Sequence, residues 1–409
     1  FNKSAIFNGS SSKVAVGNWG LTSNRDFSIS MWIKGGATSA NQILLSADTG
    51  GSFEFRTYVE LQSSGVIVFS SVDNGSTNGS LATHGMFRDP NAWYHLVFVW
   101  DNLNSTSADK MKLYINGERI TGTGGIAYTA PTTNSRWNMN NRTEIGSRHG
   151  GADRFFTGVM AHVHNCDGYA YQASDFGETD STSGAWVAKT SPSVSYGTNG
   201  FFLKFASGAL GTDSSGQSNN FTTVGTMTTT KDTPDNNFCT LNELDNYYAA
   251  ATLSNGNNTM VSNASNAAWI RGSMSVTKGL WYWETLVSGG LGSTLGIAAT
   301  GATATSSTGA NNACTYAYMG NDGTIKRQNS GTAYGATYTT GDYVGTYLDL
   351  DNNKIYFSKN GVLQNKTGSD AIGHTILAPD SIRDTPVSYT HLRAHETDSY
   401  LVCRLLLEK

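Results

Sequence analysis

Apolar and polar residues alternate in short runs along most of this chain, and the runs break at glycine or asparagine. Phe27-Ser28-Ile29-Ser30-Met31-Trp32-Ile33 alternates cleanly. In the stretch MKLYINGERI, Met111, Leu113 and Ile115 fall on one face of a strand and Lys112, Tyr114 and Asn116 on the other, because successive side chains point to opposite sides. The run stops at Asn116-Gly117, a pair that tolerates the positive φ of a two-residue type I′ turn and so predicts a hairpin. Asn360-Gly361 repeats the signal after Ile355 and Phe357. Residues 93–100 (WYHLVFVW) are apolar on both faces, as a strand central to two packed sheets is. Further strands are predicted at 66–69, 201–205, 281–285, 295–298 and 343–350, the last turning at Asp351-Asn352-Asn353. Heptads are nowhere evident. The pattern predicts an all-β chain of antiparallel sandwiches, with two hairpin signals in unlike surroundings marking two separate modules.

Composition sharpens this. Charged residues make up 14% of the 409 residues, against roughly 25% in an average soluble domain. Glycine is abundant (46) and proline scarce (6), which suits short strands joined by tight turns. A net charge of −4 gives no basic face for nucleic acid or an anionic membrane. No apolar run approaches the ~20 residues of a membrane-crossing helix, so no membrane insertion is expected. Cys166, Cys239, Cys314 and Cys403 are scattered and read as isolated thiols rather than a disulfide or zinc framework. Phe1 to Phe7 already reads as a strand, so the domain is expected to start before residue 1.

The segments FNGSSSKVAV, DFSISMWIK, WYHLVFVWDN with KLYINGERI, and FTGVMAHVHNCDGYA resemble, in order, the strands of laminin-G-like domains of the concanavalin-A-like superfamily. The resemblance implies a jelly-roll sandwich over residues 1–176. Residues 177–250 are turn-dense and read as a connector with one or two strands. Residues 251–380, through GLWYWETLV, LGIAAT and GDYVGTYLDLDNNKIYFSKNG, resemble the SPRY domain, which implies a second bent sandwich. In residues 381–409 glycine and asparagine vanish and alternation stops, so this SPRY-like domain is expected to lack its closing strands and expose an edge. That tail resembles translated sequencing-adapter sequence and is read as non-native; the alternative is an amphipathic helix.

Candidate chemistry is sparse. Glu178-Thr179-Asp180 approaches the Glu-x-Asp-x-Glu of glycanases in this superfamily but lacks the last carboxylate, so no catalytic residues are assigned. His162, His164 and Cys166 would point the same way along a flat strand and are the candidate metal ligands, weighed against an exposed polar strand face. No cofactor is expected. Resemblance to laminin-G-like domains implies calcium at a rim, with Asp48, Asp101 and Asp109 in suitable loops and none singled out. Asn104-Ser105-Thr106 and Asn141-Arg142-Thr143 carry little weight as glycosylation sites in so Asn- and Thr-rich a chain. Trp32, Trp100 and Trp283 read as core, whereas Trp19, Trp137 and Trp186 read either as exposed platforms for sugar rings or as cover over a sandwich edge.

The order FGETDSTSGAWVAK, SYGTNGFFLKF, DSSGQSNNFT and DTPDNNFCTLN resembles marine phage appendage and tail-fibre-like proteins. The expected function is therefore a non-catalytic binding and structural protein on a virion surface, recognising a glycan or host-surface component. The resemblance implies a homotrimer. The alternatives are a polysaccharide-degrading enzyme with an unrecognised site, or a secreted adhesin at a bacterial surface whose SPRY-like domain contacts protein.

Overall fold

The computed structural model describes residues 1, 3–17, 26–35, 40–48, 55–85, 87, 89, 91–121, 126–135, 137, 142–148, 153–247, 251–262, 268–289, 293–299, 315–327, 330–367, 370–371, 374–375, 387–389 and 400–405. Trp19, Cys314 and Asn141 lie outside the described residues, as do the side chain of Cys403 and most of 381–409. The chain divides into two units, Phe1–Asn237 and Phe238–Lys409. Both are built from antiparallel strands. The described helix is limited to the short turns Ala173–Phe176 and Ser107–Asp109, and no helix is long and apolar enough to cross a membrane.

The first unit is a sandwich of two eight-stranded sheets. One sheet runs, in spatial order, Glu118–Arg119, Met111–Ile115, Trp93–Asp101, Asp26–Gly35, Thr157–Asp167, Ser4–Asn8 and Thr228–Thr230, with Phe201–Leu203 pairing on Thr157–Asp167. The other runs Ile126–Thr129, Ser76–Thr83, Ile67–Asp73, Arg56–Leu61, Gln42–Asp48, Arg142–Ile145, Lys13–Val16 and Thr222–Val224. Inward-facing positions of both sheets interdigitate: the Phe69 ring meets Phe27, Phe98 and Trp100 edge-on or tilted at 5.4–6.2 Å between centroids. Each such aromatic contributes about 1.5–3 kcal/mol by burial. Met111, Leu113 and Ile115 join this core, as alternation requires.

Residues 177–237 are not a connector. They complete the first unit, adding Phe201–Leu203, Thr222–Val224 and Thr228–Thr230 to its sheets. They also cover the sheet face that looks away from the sandwich core. Val97, Val99, Tyr114 and Cys166 on that face pack with Ala173, Phe176, Trp186, Val194 and Tyr196. This explains why residues 93–100 are apolar on both sides: Leu96, Phe98 and Trp100 meet the second sheet, and Val97 and Val99 meet the chain's own cover. At the edge of the covered face, Lys34 is 1% exposed and donates to Asp232 Oδ2 and Asn237 Oδ1, each at 2.7 Å. Asp232 Oδ1 accepts the Trp93 indole N–H at 3.0 Å.

The second unit has an eight-stranded sheet ordered Thr252–Ser254, Thr259–Val261, Tyr400–Leu405, Leu280–Val287, Tyr343–Asp349, Lys354–Lys359 and Val362–Leu363, with His374–Thr375 on Lys354–Lys359. A six-stranded sheet runs Ser275–Val276, Val387–Tyr389, Thr294–Ala299, Thr315–Met319, Thr324–Arg327 and Ser330–Ala333. Tyr318 centres the core, its ring 5.0 Å from both Tyr338 and Phe357. Two segments of the 381–409 tail are thus strands, neither helical nor missing from the sheets. Tyr400–Leu405 pairs with Thr259–Val261 and Leu280–Val287, and Val387–Tyr389 with Ser275–Val276 and Thr294–Ala299.

Both hairpin signals fold as type I′ pairs, with φ of 50° and 87° at Asn116-Gly117 and 48° and 78° at Asn360-Gly361. The likeness goes deeper than backbone twist. Asn116 Oδ1 accepts the His95 N–H at 2.8 Å while its own N–H donates to the His95 carbonyl at 2.9 Å. Asn360 makes the same pair with Tyr343, at 2.9 and 2.8 Å. Each asparagine side chain supplies the acceptor for one more rung on the neighbouring strand.

Asn116→Ala or Asn360→Ala is therefore expected to cost about 1–2 kcal/mol, and Asn→Gly, which keeps the φ but loses the acceptor, about half that. Equal stability of the Gly variants and the parent in urea unfolding would remove the side-chain rung from the account. Asp232→Ala strands a buried ammonium and is expected to destabilise the first unit by about 3–5 kcal/mol, with Lys34→Met/Asp232→Leu recovering most of the loss.

Candidate functional site

The strand Thr157–Asp167 bulges between Ala161 and His164, where His162 takes a φ of 46°. His162 and His164 stay neighbours across the bulge, their rings 6.2 Å apart and both against Phe202. His164 and Cys166 are buried and His162 is half-buried, so the expected exposed polar face is corrected: the cover formed by 170–205 lies over it. His164 stacks on Phe202 at 3.9 Å and its Nδ1 shares a hydrogen bond with the Tyr196 hydroxyl at 2.9 Å. Burial pushes the Cys166 thiol up to about 12, so it is not a thiolate at neutral pH. Among the described residues, no group of three His, Cys, Asp or Glu side chains could hold a metal ion.

A third histidine, His95, was not singled out by sequence, although a lone imidazole in WYHLVFVW is a visible departure. It is fully buried between two indoles, with ring centroids 4.7 Å from Trp32 and 6.0 Å from Trp186. The Trp186 Nε1–H donates to His95 Nδ1 at 2.8 Å, which leaves the ring proton on Nε2, within 2.8 Å of Ser30 Oγ. A Cβ on Gly117 or Gly177 would collide with Trp186, so the hairpin turn itself makes room for the covering indole. Trp186 is thus cover, and Trp137 is wholly buried with its Nε1 donating to Asn165 Oδ1 at 2.9 Å.

The remaining acidic candidates serve their own loops. Glu178 is exposed, and Asp180 Oδ1 accepts from the Thr182 N–H, the Ser183 N–H and the Ser183 hydroxyl, contacts with Ser183 that hold its carboxyl below the usual range. Asp101 pairs with Lys112 at 3.1 Å, Asp109 with Arg119, and Asp48 is buried within its strand.

The second unit presents a different surface. Tyr282, Tyr347 and Tyr356 occupy one rung across three adjacent strands, on the face opposite Trp283, Leu348 and Phe357. A rung on one side holds Leu280, Asp349 and Lys354; the rung on the other holds Glu284, Gly345 and Ser358. The Tyr282 and Tyr347 rings lie 4.5 Å apart, and the Tyr282 hydroxyl donates to Glu284 Oε1. Burial first, and that bond second, raise the Tyr282 phenol well above its ordinary value, so it stays a neutral donor. A Cβ at Gly345 would strike Ser358 Oγ, so glycine keeps this rung low beside the rings. The tyrosines, Leu280, Asp349 and Leu363 line a groove of about 350 Å3, within the ~300–1,000 Å3 typical of ligand sites. Sequence alternation contained this rung, since Tyr282 is out of phase with Trp281 and Trp283, but the pairing of three strands was needed to assemble it.

Burial also pushes the His95 imidazole down to about 3 and that of His164 well below 6.5. Unfolded histidines titrate near 6.5, so below that pH the unfolded chain binds protons that the folded one refuses. Stability should fall as pH drops from about 6.5 toward 3, by about 1.4 kcal/mol per pH unit for each such histidine. A urea midpoint for the first unit that stays flat between pH 7.5 and 5 would contradict this.

Comparisons with known proteins agree with the two-unit division. Residues 8–168 match a laminin G model described as the concanavalin A-like lectin/glucanases superfamily, and residues 280–371 match the SPRY domain model. Among solved structures, the SPRY domain of human HERC1 is 14% identical, covering 41% of this chain and 99% of its own, with a TM-score of 0.32. A second human SPRY domain is 15% identical, covering 37% of this chain and 94% of its own, with a TM-score of 0.29. No curated protein matches the chain. Over these two stretches the chain matches, in order, the concanavalin A-like superfamily model and the SPRY domain model.

Proposed function

We propose that the chain is a non-catalytic glycan-binding protein of a surface appendage such as a phage tail fibre, with the tyrosine groove of the SPRY unit as its contact. Its two domain kinds are those of a binding or structural protein. The observation that carries the reading is the rung Tyr282–Tyr347–Tyr356, an aromatic groove rimmed by Glu284 and Asp349. Aromatic walls take the C–H faces of sugar rings, and the carboxylates and hydroxyls accept or donate to sugar hydroxyls. Trp186 and its neighbours cover the outer sheet face of the first unit, so that face is closed to a ligand. A surface location, a host-cell glycan as partner and a trimeric assembly complete the proposal, from the resemblance to appendage proteins.

A glycan array probed with the full chain should give a defined set of binders, and Tyr347→Ala or Tyr356→Ala should weaken them by about tenfold or more, as loss of an aromatic anchor does. Binding indifferent to both substitutions would remove the groove. Shortening of any bound polysaccharide would favour the enzymatic alternative.

A further inference from the structure

A second opening lies in the first unit, at the margin of the cover rather than on the tyrosine face. It has a volume of about 400 Å3 and is lined by His162, Lys189, Ser191, Tyr196, Phe202 and Lys204, with Phe1 and Ser214 at its rim. All of these but His162 lie outside the stretch that matches the concanavalin A-like superfamily. The pocket is therefore a product of this chain's own covering segment.

Its chemistry differs from that of the groove. Phe202 and Tyr196 form an aromatic floor, and the Lys204 ammonium stands 5.1 Å from the Phe202 ring centroid. Lys189 is steadied by donating to the Ser174 carbonyl at 2.6 Å. Neither lysine has an acidic partner among the described residues. The nearby acids have other hydrogen-bond partners: Asp235 accepts from the Thr233 hydroxyl at 2.5 Å, and Asp213 from the N–H groups of Phe202, Ser215 and Asn219. Burial first, then the Phe1 amine and Lys204, push the His162 imidazole down to about 3, with Asp235 opposing them. A chain of net charge −4 has here a concave spot where two lysines without an ion-pair partner stand beside aromatic rings.

We infer that this pocket binds the anionic group of an acidic sugar, with Lys204 and Lys189 facing the anion, the Ser191 hydroxyl donating to it, and the sugar ring against Phe202 and Tyr196. The choice of a sugar rests on the function proposed above; the choice of an anion rests on the pocket alone. The two lysines, poised over an apolar floor, favour charge-assisted hydrogen bonds.

The test is calorimetric titration of the full chain, at low salt, with tri-galacturonate, a sulfated galactose trimer and neutral galactotriose. At least one acidic trimer should bind, galactotriose should not bind here, and added salt should weaken the acidic complex. Lys204→Gln, a change at an exposed side chain, should weaken it about tenfold. Binding by carboxylate alone or by sulfate alone identifies which anion is preferred, and either supports the site. Equal binding of acidic and neutral trimers, or indifference to Lys204→Gln, overturns it. Tyr356→Ala should leave the acidic complex intact, so failure of the groove and failure of this pocket are told apart.

Discussion

The hydrogen bond from the Trp186 indole to His95 fixes how the first unit is built. A sheet with a polar outer face would ordinarily leave that face to water. Here the imidazole at its centre is buried, so it must be neutral, must find two partners and must have apolar neighbours. Trp186 and Ser30 supply the partners, and Trp32 with the covering aromatics supplies the rest. The cover is consequently part of the domain's core chemistry, with the buried Lys34–Asp232 pair closing one end of it. The histidines that first suggest a metal site act as components of a packed layer.

The same layer decides where recognition can occur. Once the chain has covered its own sheet, a ligand must use what the cover leaves open or turn to the other unit. The first unit leaves a lysine-lined pocket at the margin, and the second an apolar groove of tyrosines. The two openings differ in charge and in polarity, so a binding protein carrying both would discriminate by chemistry as well as by shape.

Much of this architecture was legible in the residues. Period-two alternation located Asp26–Gly35, Trp93–Asp101, Leu280–Val287 and Tyr343–Asp349 to within a residue or two, and Asn-Gly placed both hairpins. Local chemistry sets those features, so local sequence reports them. What escaped depends on contacts far apart in the chain. Residues 177–237 look like linker because their strands are three residues long and their turns are many, yet Trp186, Tyr196 and Phe202 recur through the region as covering rings. Trp137 sits among polar residues and is nevertheless core, because Asn165 answers its N–H from another strand. The tyrosine rung needed the register of three strands, which no single run encodes.

The pairing of Ser4–Asn8 with Thr228–Thr230 bears on mechanics. Ser4 lies opposite Thr230, so the chain enters and leaves this ladder at the same end. Tension applied through residues ahead of Ser4 and beyond Thr230 would load its rungs one after another, as in a zipper, rather than all together in shear. The contacts of Lys34 with Asp232 and Asn237 stand at the mouth of that zipper and would bear the pull first. Under such tension, the resistance of the whole sandwich to being drawn open would begin with a single buried ammonium.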